Sequence, residues 1–152
     1  MTPTRLDGRV IADRLQWVDS MVVGIRALPL ESLGAFIADP RNVAAAESYL
    51  RRALEALLDL GRHVLAKGFG QPVPEYKDIP RQLRRFDVIS DTDSARMVIL
   101  AGYRNRIVHF YAEISRDELY EICAQQLDDV LASAEAIRQW IRSHPEQVDQ
   151  AL

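Results

Sequence analysis

From Arg116 to Arg142, Leu119, Cys123, Leu127, Val130, Ala134, Ile137 and Ile141 recur at intervals of three and four residues. That spacing lines one face of an α-helix. Similar stripes run through Ile11, Leu15, Val18, Val22 and Ile25, and through Leu50, Leu54, Leu57, Gly61 and Val64. A further long helix is predicted to start near Ser90 or Asp91, whose side chains can cap it. No segment sustains the alternation of a half-buried strand. Long helices joined by short loops predict an all-α fold, an antiparallel helical bundle of four long helices plus short ones.

Punctuation supports this division. Asp7 is a candidate cap for the first helix, and "LPLES" around Pro29 ends it. "SLGAFIAD" fits one or two helical turns. Asp39 before Pro40 opens a helix over about Arg41 to Ala66, because proline is tolerated in a first turn. Gly61 in its stripe marks close approach of a neighbouring helix, or a local weakness. "KGFGQPVPEYKDIP" is a loop, and "RQLRRFDVIS" a short helix and turn. The last helix, Arg116 to Arg142, is expected to run unbroken for roughly 39 Å. Its stripe is long enough for both a core and a subunit contact.

The 152 residues fit a single domain, 1–152. A net charge of −3, from 19 basic and 22 acidic residues, argues against a general polyanion binder with a broad basic face. The one cysteine, Cys123, excludes an intrachain disulfide and a cysteine-based zinc site; it reads as a buried apolar residue. The start, "MTPTRLDGRV", lacks the apolar core of a signal peptide, and no apolar run nears the ~20 residues that span a bilayer. A cytoplasmic protein with no membrane partner is expected.

Against this background "LAGYRNRIVHFYAEI", Leu100 to Ile114, stands out. Arg104, Asn105, Arg106 and His109 interrupt an otherwise apolar helix, and Tyr111 follows. On a continuous helix Arg104 and Tyr111 lie about 20° apart, among Met97, Leu100 and Val108. Asn105 and His109 share the next face, about 100–140° round. A charged group among apolar residues needs a partner or a water-filled groove. One straight helix does not aim Arg104 and His109 at a single atom. They meet if their side chains converge in a cleft, or if a twofold dimer supplies the other half.

The order Arg104-Asn105, three residues, His109-Phe110-Tyr111 resembles the R-x4-H-x-Y signature of HepT-like toxins in the HEPN superfamily. The resemblance covers nearly the whole chain. "RALEALLDLGRHVLA", the proline-rich loop with "PEYKDI", and "DELYEI" after the motif occur in the expected order. It implies a helical bundle that dimerises, with the motif lining a cleft at the interface. It implies the toxin of a toxin–antitoxin system, a metal-independent endoribonuclease needing no cofactor. It further implies a partner, an MntA-like nucleotidyltransferase antitoxin, that transfers AMP to the motif tyrosine, here Tyr111. A rival implication is a non-catalytic HEPN subunit, nucleotide-binding or regulatory, of a nucleotidyltransferase.

The residue types suit a ribonuclease that uses the RNA 2′-hydroxyl as nucleophile. His109 offers an imidazole, the side-chain type suited to moving protons near neutral pH. Arg104 is a fixed forked cation for phosphate oxygens. Asn105 orients His109 or donates to phosphate. Tyr111 stacks or hydrogen-bonds near the substrate, and AMP on its hydroxyl would add charge and bulk to the cleft. Arg106 points to solvent or lines the rim, a candidate RNA contact. Arg81, Arg84 and Arg85 are a solvated basic face or a phosphate contact, and Arg51 and Arg52 carry the same ambiguity. Asp59 and His63 form an i, i+4 pair, too few ligands for a metal. They read as a helix-stabilising pair or as support behind the cleft.

Overall fold

The computed structural model describes residues 2–109 and 114–149. A short strand, β1 (Leu6–Asp7), leads into α1 (Gly8–Arg26). Then come α2 (Leu33–Ile37) and α3 (Pro40–His63), which continues as a π-helical turn over Val64–Gly68. A 3₁₀ turn at Tyr76–Asp78 precedes α4 (Ile79–Arg85) and α5 (Asp91–Val108). The chain resumes with α6 (Arg116–Gln125), α7 (Leu127–Arg142), a 3₁₀ turn at Pro145–Gln147 and β2 (Val148–Asp149). The all-α expectation holds. The two short strands pair in parallel, Leu6 with Val148 and Asp7 with Asp149, and tie the start of α1 to the chain beyond α7. Among the described residues no helix is long and apolar enough to cross a membrane.

Helix starts follow local chemistry. Asp7 accepts from the backbone N–H of Arg9 at 2.8 Å, and Asp39 from that of Arg41 at 2.9 Å. Ser90 Oγ accepts from the N–H of Asp93 at 3.1 Å, and Ser115 Oγ from that of Glu118 at 3.2 Å. Each satisfies a donor that the first helical turn leaves open. The apolar stripes then meet in one core. Val18, Ile25, Leu50, Leu54, Leu57, Leu60, Met97, Val130 and Ile137 are buried there. α3 is its axis: α1 lies along it, and α5, α6 and α7 pack against it.

Gly61 is where α4 comes closest. A Cβ at this position would stand 2.9 Å from both Ile79 Cγ2 and Leu83 Cδ1. Of the two readings the sequence allowed, close approach is the one realised. Gly61→Ala is expected to destabilise the fold by about 1 kcal/mol. Overpacking costs about 1–3 kcal/mol, and the gain in helix propensity returns about 1 kcal/mol. Urea unfolding followed by circular dichroism measures the difference.

The single last helix is a correction. Gln126, at φ −119° and ψ 8°, separates α6 from α7. Tyr103 of α5 donates to its Oε1 at 2.8 Å. The stripe persists across the break, since Leu119, Cys123, Leu127, Val130, Ala134 and Ile137 are all buried. One non-helical residue leaves such periodicity intact, so spacing alone did not reveal it. Asp128 and Asp129 in the first turn of α7 are the local sign of a new start, because carboxylates favour a helix N-terminus. Cys123 is buried as expected, and burial pushes its thiol up to about 12.

Candidate active site

Three elements enclose a polar cleft of about 520 Å³. α3 contributes Arg62, the segment before α4 contributes Pro74, Glu75 and Tyr76, and the end of α5 contributes Arg104, Asn105 and His109. The straight-helix geometry is corrected here. α5 ends at Val108, and His109 has extended backbone, φ −101° and ψ 106°. The N–H of His109 still donates to Asn105 O at 3.1 Å, closing the last turn. The backbone departs from the helix at His109, whose side chain lines the cleft together with that of Asn105. One chain therefore brings Arg104, Asn105 and His109 to the same cleft without a second copy. Tyr111 lies outside the described residues.

Arg104 is held on several sides. Its Nη2 donates to Glu55 Oε2 at 3.0 Å and its Nη1 to Asn105 Oδ1 at 3.2 Å. Its guanidinium carbon sits 4.5 Å from the centroid of the Tyr76 ring. Its Nε is buried with no hydrogen-bond partner among the described residues. Glu55 is shared: its other oxygen accepts from Arg51 Nη1 at 2.7 Å. The arginine that reads from sequence as a charge in apolar surroundings thus has its partner, a carboxylate one helix away.

Asp59 stands behind the cleft. Its Oδ1 accepts from the Tyr76 hydroxyl at 2.7 Å and from Arg62 Nη1 at 3.2 Å. Arg62 also donates to the carbonyls of Val73 at 3.0 Å and Pro74 at 2.8 Å, which pins the loop leading to Tyr76. Burial, reinforced by the hydrogen bond to Asp59, pushes the Tyr76 phenol up to about 12, so it stays a protonated donor at neutral pH.

The pairing of Asp59 with His63 is not made. His63 Nε2 accepts from the backbone N–H of Asp7 at 2.9 Å, at the start of α1. Burial lowers the pKa of His63, consistent with a neutral acceptor. Its part is structural, and of the two only Asp59 supports the cleft. Arg106 forms a forked pair with Glu118 of α6, with 2.8 Å from Nη1 to Oε2, and does not line the cleft. Arg84 is engaged by Asp87 at 2.9 Å and by Asp91. Arg85 lies 5.5 Å from the centroid of the Phe86 ring, and Arg81 is exposed. None of these three lines the cleft.

Glu55, Arg62 and Tyr76 were absent from the sequence-based site. Glu55, Asp59 and Arg62 follow i, i+4, i+7 along α3, a polar line beside its apolar stripe. That line is readable in the sequence. Tyr76, distant in sequence and set in a loop, carries no such signal.

Residues 25–137 match the family described as Ribonuclease HepT-like. No curated protein matches the chain. Several solved structures share its fold. A tri-AMPylated HEPN toxin of Shewanella oneidensis, in complex with an MNT antitoxin, is 20% identical with a TM-score of 0.76 over 86% of this chain and 97% of that one. A toxin–antitoxin structure with AMP-PNP is 18% identical, TM-score 0.76, over 87% and 99% of the two chains. A cytosolic protein of unknown function, YutE from Bacillus subtilis, is 18% identical, TM-score 0.77, over 96% and 98%. At such identities the likeness is one of fold.

Proposed function

Because the chain belongs to the HepT-like ribonuclease family, we propose that it is a metal-independent endoribonuclease, the toxin of a toxin–antitoxin pair. The observation that carries this reading is the cleft that gathers Arg104, Asn105 and His109 at the end of α5. In the proposed reaction an RNA 2′-hydroxyl attacks the adjacent phosphorus and the 5′-oxygen of the next nucleotide leaves. A 2′,3′-cyclic phosphate remains. His109 moves a proton, taking it from the nucleophile or giving it to the leaving oxygen. Arg104 bears the charge that builds on the phosphate oxygens. Asn105, next to Arg104 and hydrogen-bonded to it, steadies the guanidinium or donates to phosphate.

The remaining parts of the proposal rest on the fold relatives and on exposure. The Shewanella toxin is AMPylated and bound to its antitoxin. Here AMP would be carried by Tyr111, two residues beyond His109, after transfer by a cognate nucleotidyltransferase. Homodimerisation, which the family resemblance implies, is proposed through the end of α5 beside the cleft, where Val108 is 40% exposed.

Expression with and without a cognate nucleotidyltransferase tests the pairing. Alone, the chain is expected to arrest growth. Together, growth is expected to recover and the intact mass to rise by one or more AMP units, lost in Tyr111→Phe. Harmless expression alone would favour the non-catalytic subunit. Recovery at unchanged mass would point to inhibition by binding alone.

A further inference from the structure

The cleft contains an aromatic residue that the R-x4-H-x-Y pattern does not include. Tyr76 is fixed at both ends. Its hydroxyl donates to Asp59 at 2.7 Å, and its backbone begins the turn whose approach Arg62 pins through the Val73 and Pro74 carbonyls. Two guanidinium groups, those of Arg62 and Arg104, each lie 4.5 Å from its ring centroid. A ring face attracts a cation through its quadrupole. We propose that Tyr76, clamped by Asp59, is a positioning residue that aims the Arg104 guanidinium at the scissile phosphate. This rests on, and deepens, the ribonuclease reading.

The role of Tyr76 depends on which contacts of Arg104 survive substrate binding. Its Nη2 is taken by Glu55, and a phosphate must compete with that carboxylate for the same N–H groups. The contact with the ring needs no hydrogen-bond acceptor, so it does not compete with phosphate for the N–H groups. The buried Nε, with no hydrogen-bond partner among the described residues, does not anchor the group. The Tyr76 face is therefore a support that stays when Glu55 gives way, beside the longer 3.2 Å contact of Nη1 with Asn105 Oδ1. Because the phenol is held by Asp59 on α3, the ring is referred to the central helix of the core, not to its own loop. A displacement of about 1 Å at a catalytic group costs on the order of 100-fold in rate, so such a support has kinetic weight.

The test compares Tyr76→Phe, which keeps the ring, with Tyr76→Leu, which removes it; Tyr76→Met replaces the latter should it not fold. Two readouts are taken. In cleavage of mixed-sequence RNA, Tyr76→Leu is expected to lower kcat about 10- to 100-fold with KM little changed, while Tyr76→Phe, which keeps the ring but loses its tie to Asp59, falls between that variant and wild type. In an Arg104→Ala background the leucine change should cost almost nothing more, since the two residues act as one unit. A merely structural tyrosine would instead cost the same in both backgrounds.

The second readout needs no activity. The Nε–H proton signal of Arg104, assigned by its loss in Arg104→Lys, is expected to carry a ring-current shift that vanishes in Tyr76→Leu and persists in Tyr76→Phe. An unmoved signal in Tyr76→Leu overturns the proposal, as does full cleavage by that variant. Should the wild-type chain cleave no RNA at all, the ribonuclease reading fails by itself. The proton signal then still decides whether Tyr76 holds Arg104.

Discussion

Replacing His109 by alanine is expected to lower RNA cleavage by the purified protein by about 10²- to 10⁴-fold, the range that general acid–base groups contribute. The helical circular dichroism should not change. His109 is exposed at the end of α5 and has no part in the core. Its position just past the last turn is what makes the expectation specific: there it lines the cleft beside Arg104 and Asn105 without belonging to the helix. A loss of activity together with a loss of helix would mean that His109 holds the fold, and the catalytic assignment would not stand.

Arg104→Ala is expected to lower kcat by about 10²- to 10³-fold, the usual cost of removing a preorganised donor to a developing charge. The change should be tolerated structurally, because Glu55 retains Arg51 at 2.7 Å. The opposite sign is expected at Glu55. This carboxylate occupies Arg104 at 3.0 Å, and both side chains are largely shielded, 22% and 23% exposed. Glu55→Gln removes a charge that phosphate must displace. KM for RNA should fall a few-fold, in keeping with on the order of 1 kcal/mol for a partly exposed ion pair, with kcat little altered. Steady-state cleavage at two or more ionic strengths separates the two effects, since added salt weakens phosphate binding in both proteins. A higher KM in Glu55→Gln would show that Glu55 orients Arg104 for the substrate and does not compete with it.

What could be read from the sequence divides along a physical line. Periodicity fixes which face of a helix is buried, so the stripes of α1, α3 and α7 were legible, and so were the caps at Asp7, Asp39 and Ser90. Termination is different where no glycine or proline marks it. The run "RNRIVHFY" contains neither, yet α5 stops at Val108. Gln126 is no breaker by propensity, yet it divides α6 from α7 while Tyr103 holds its side chain. The break at Gln126 is held by a contact between elements, to which a local pattern is blind. The same holds for the site. Arg104, Asn105 and His109 are close in sequence and could be named together. Glu55 and Tyr76 reach Arg104 from 49 and 28 positions away, and only the packing of α3 and of the Tyr76–Asp78 turn against α5 joins them. The line of Glu55, Asp59 and Arg62 along α3 was the one long-range clue present in the residues themselves.

The central claim is that this cleft cuts RNA without a metal. Purified protein incubated with RNA in the presence of EDTA tests it most directly, with the new ends mapped and their chemistry determined. Cleavage is expected to leave 2′,3′-cyclic phosphate ends and to disappear in His109→Ala. Intact RNA under these conditions, or cleavage that persists in His109→Ala, would contradict it.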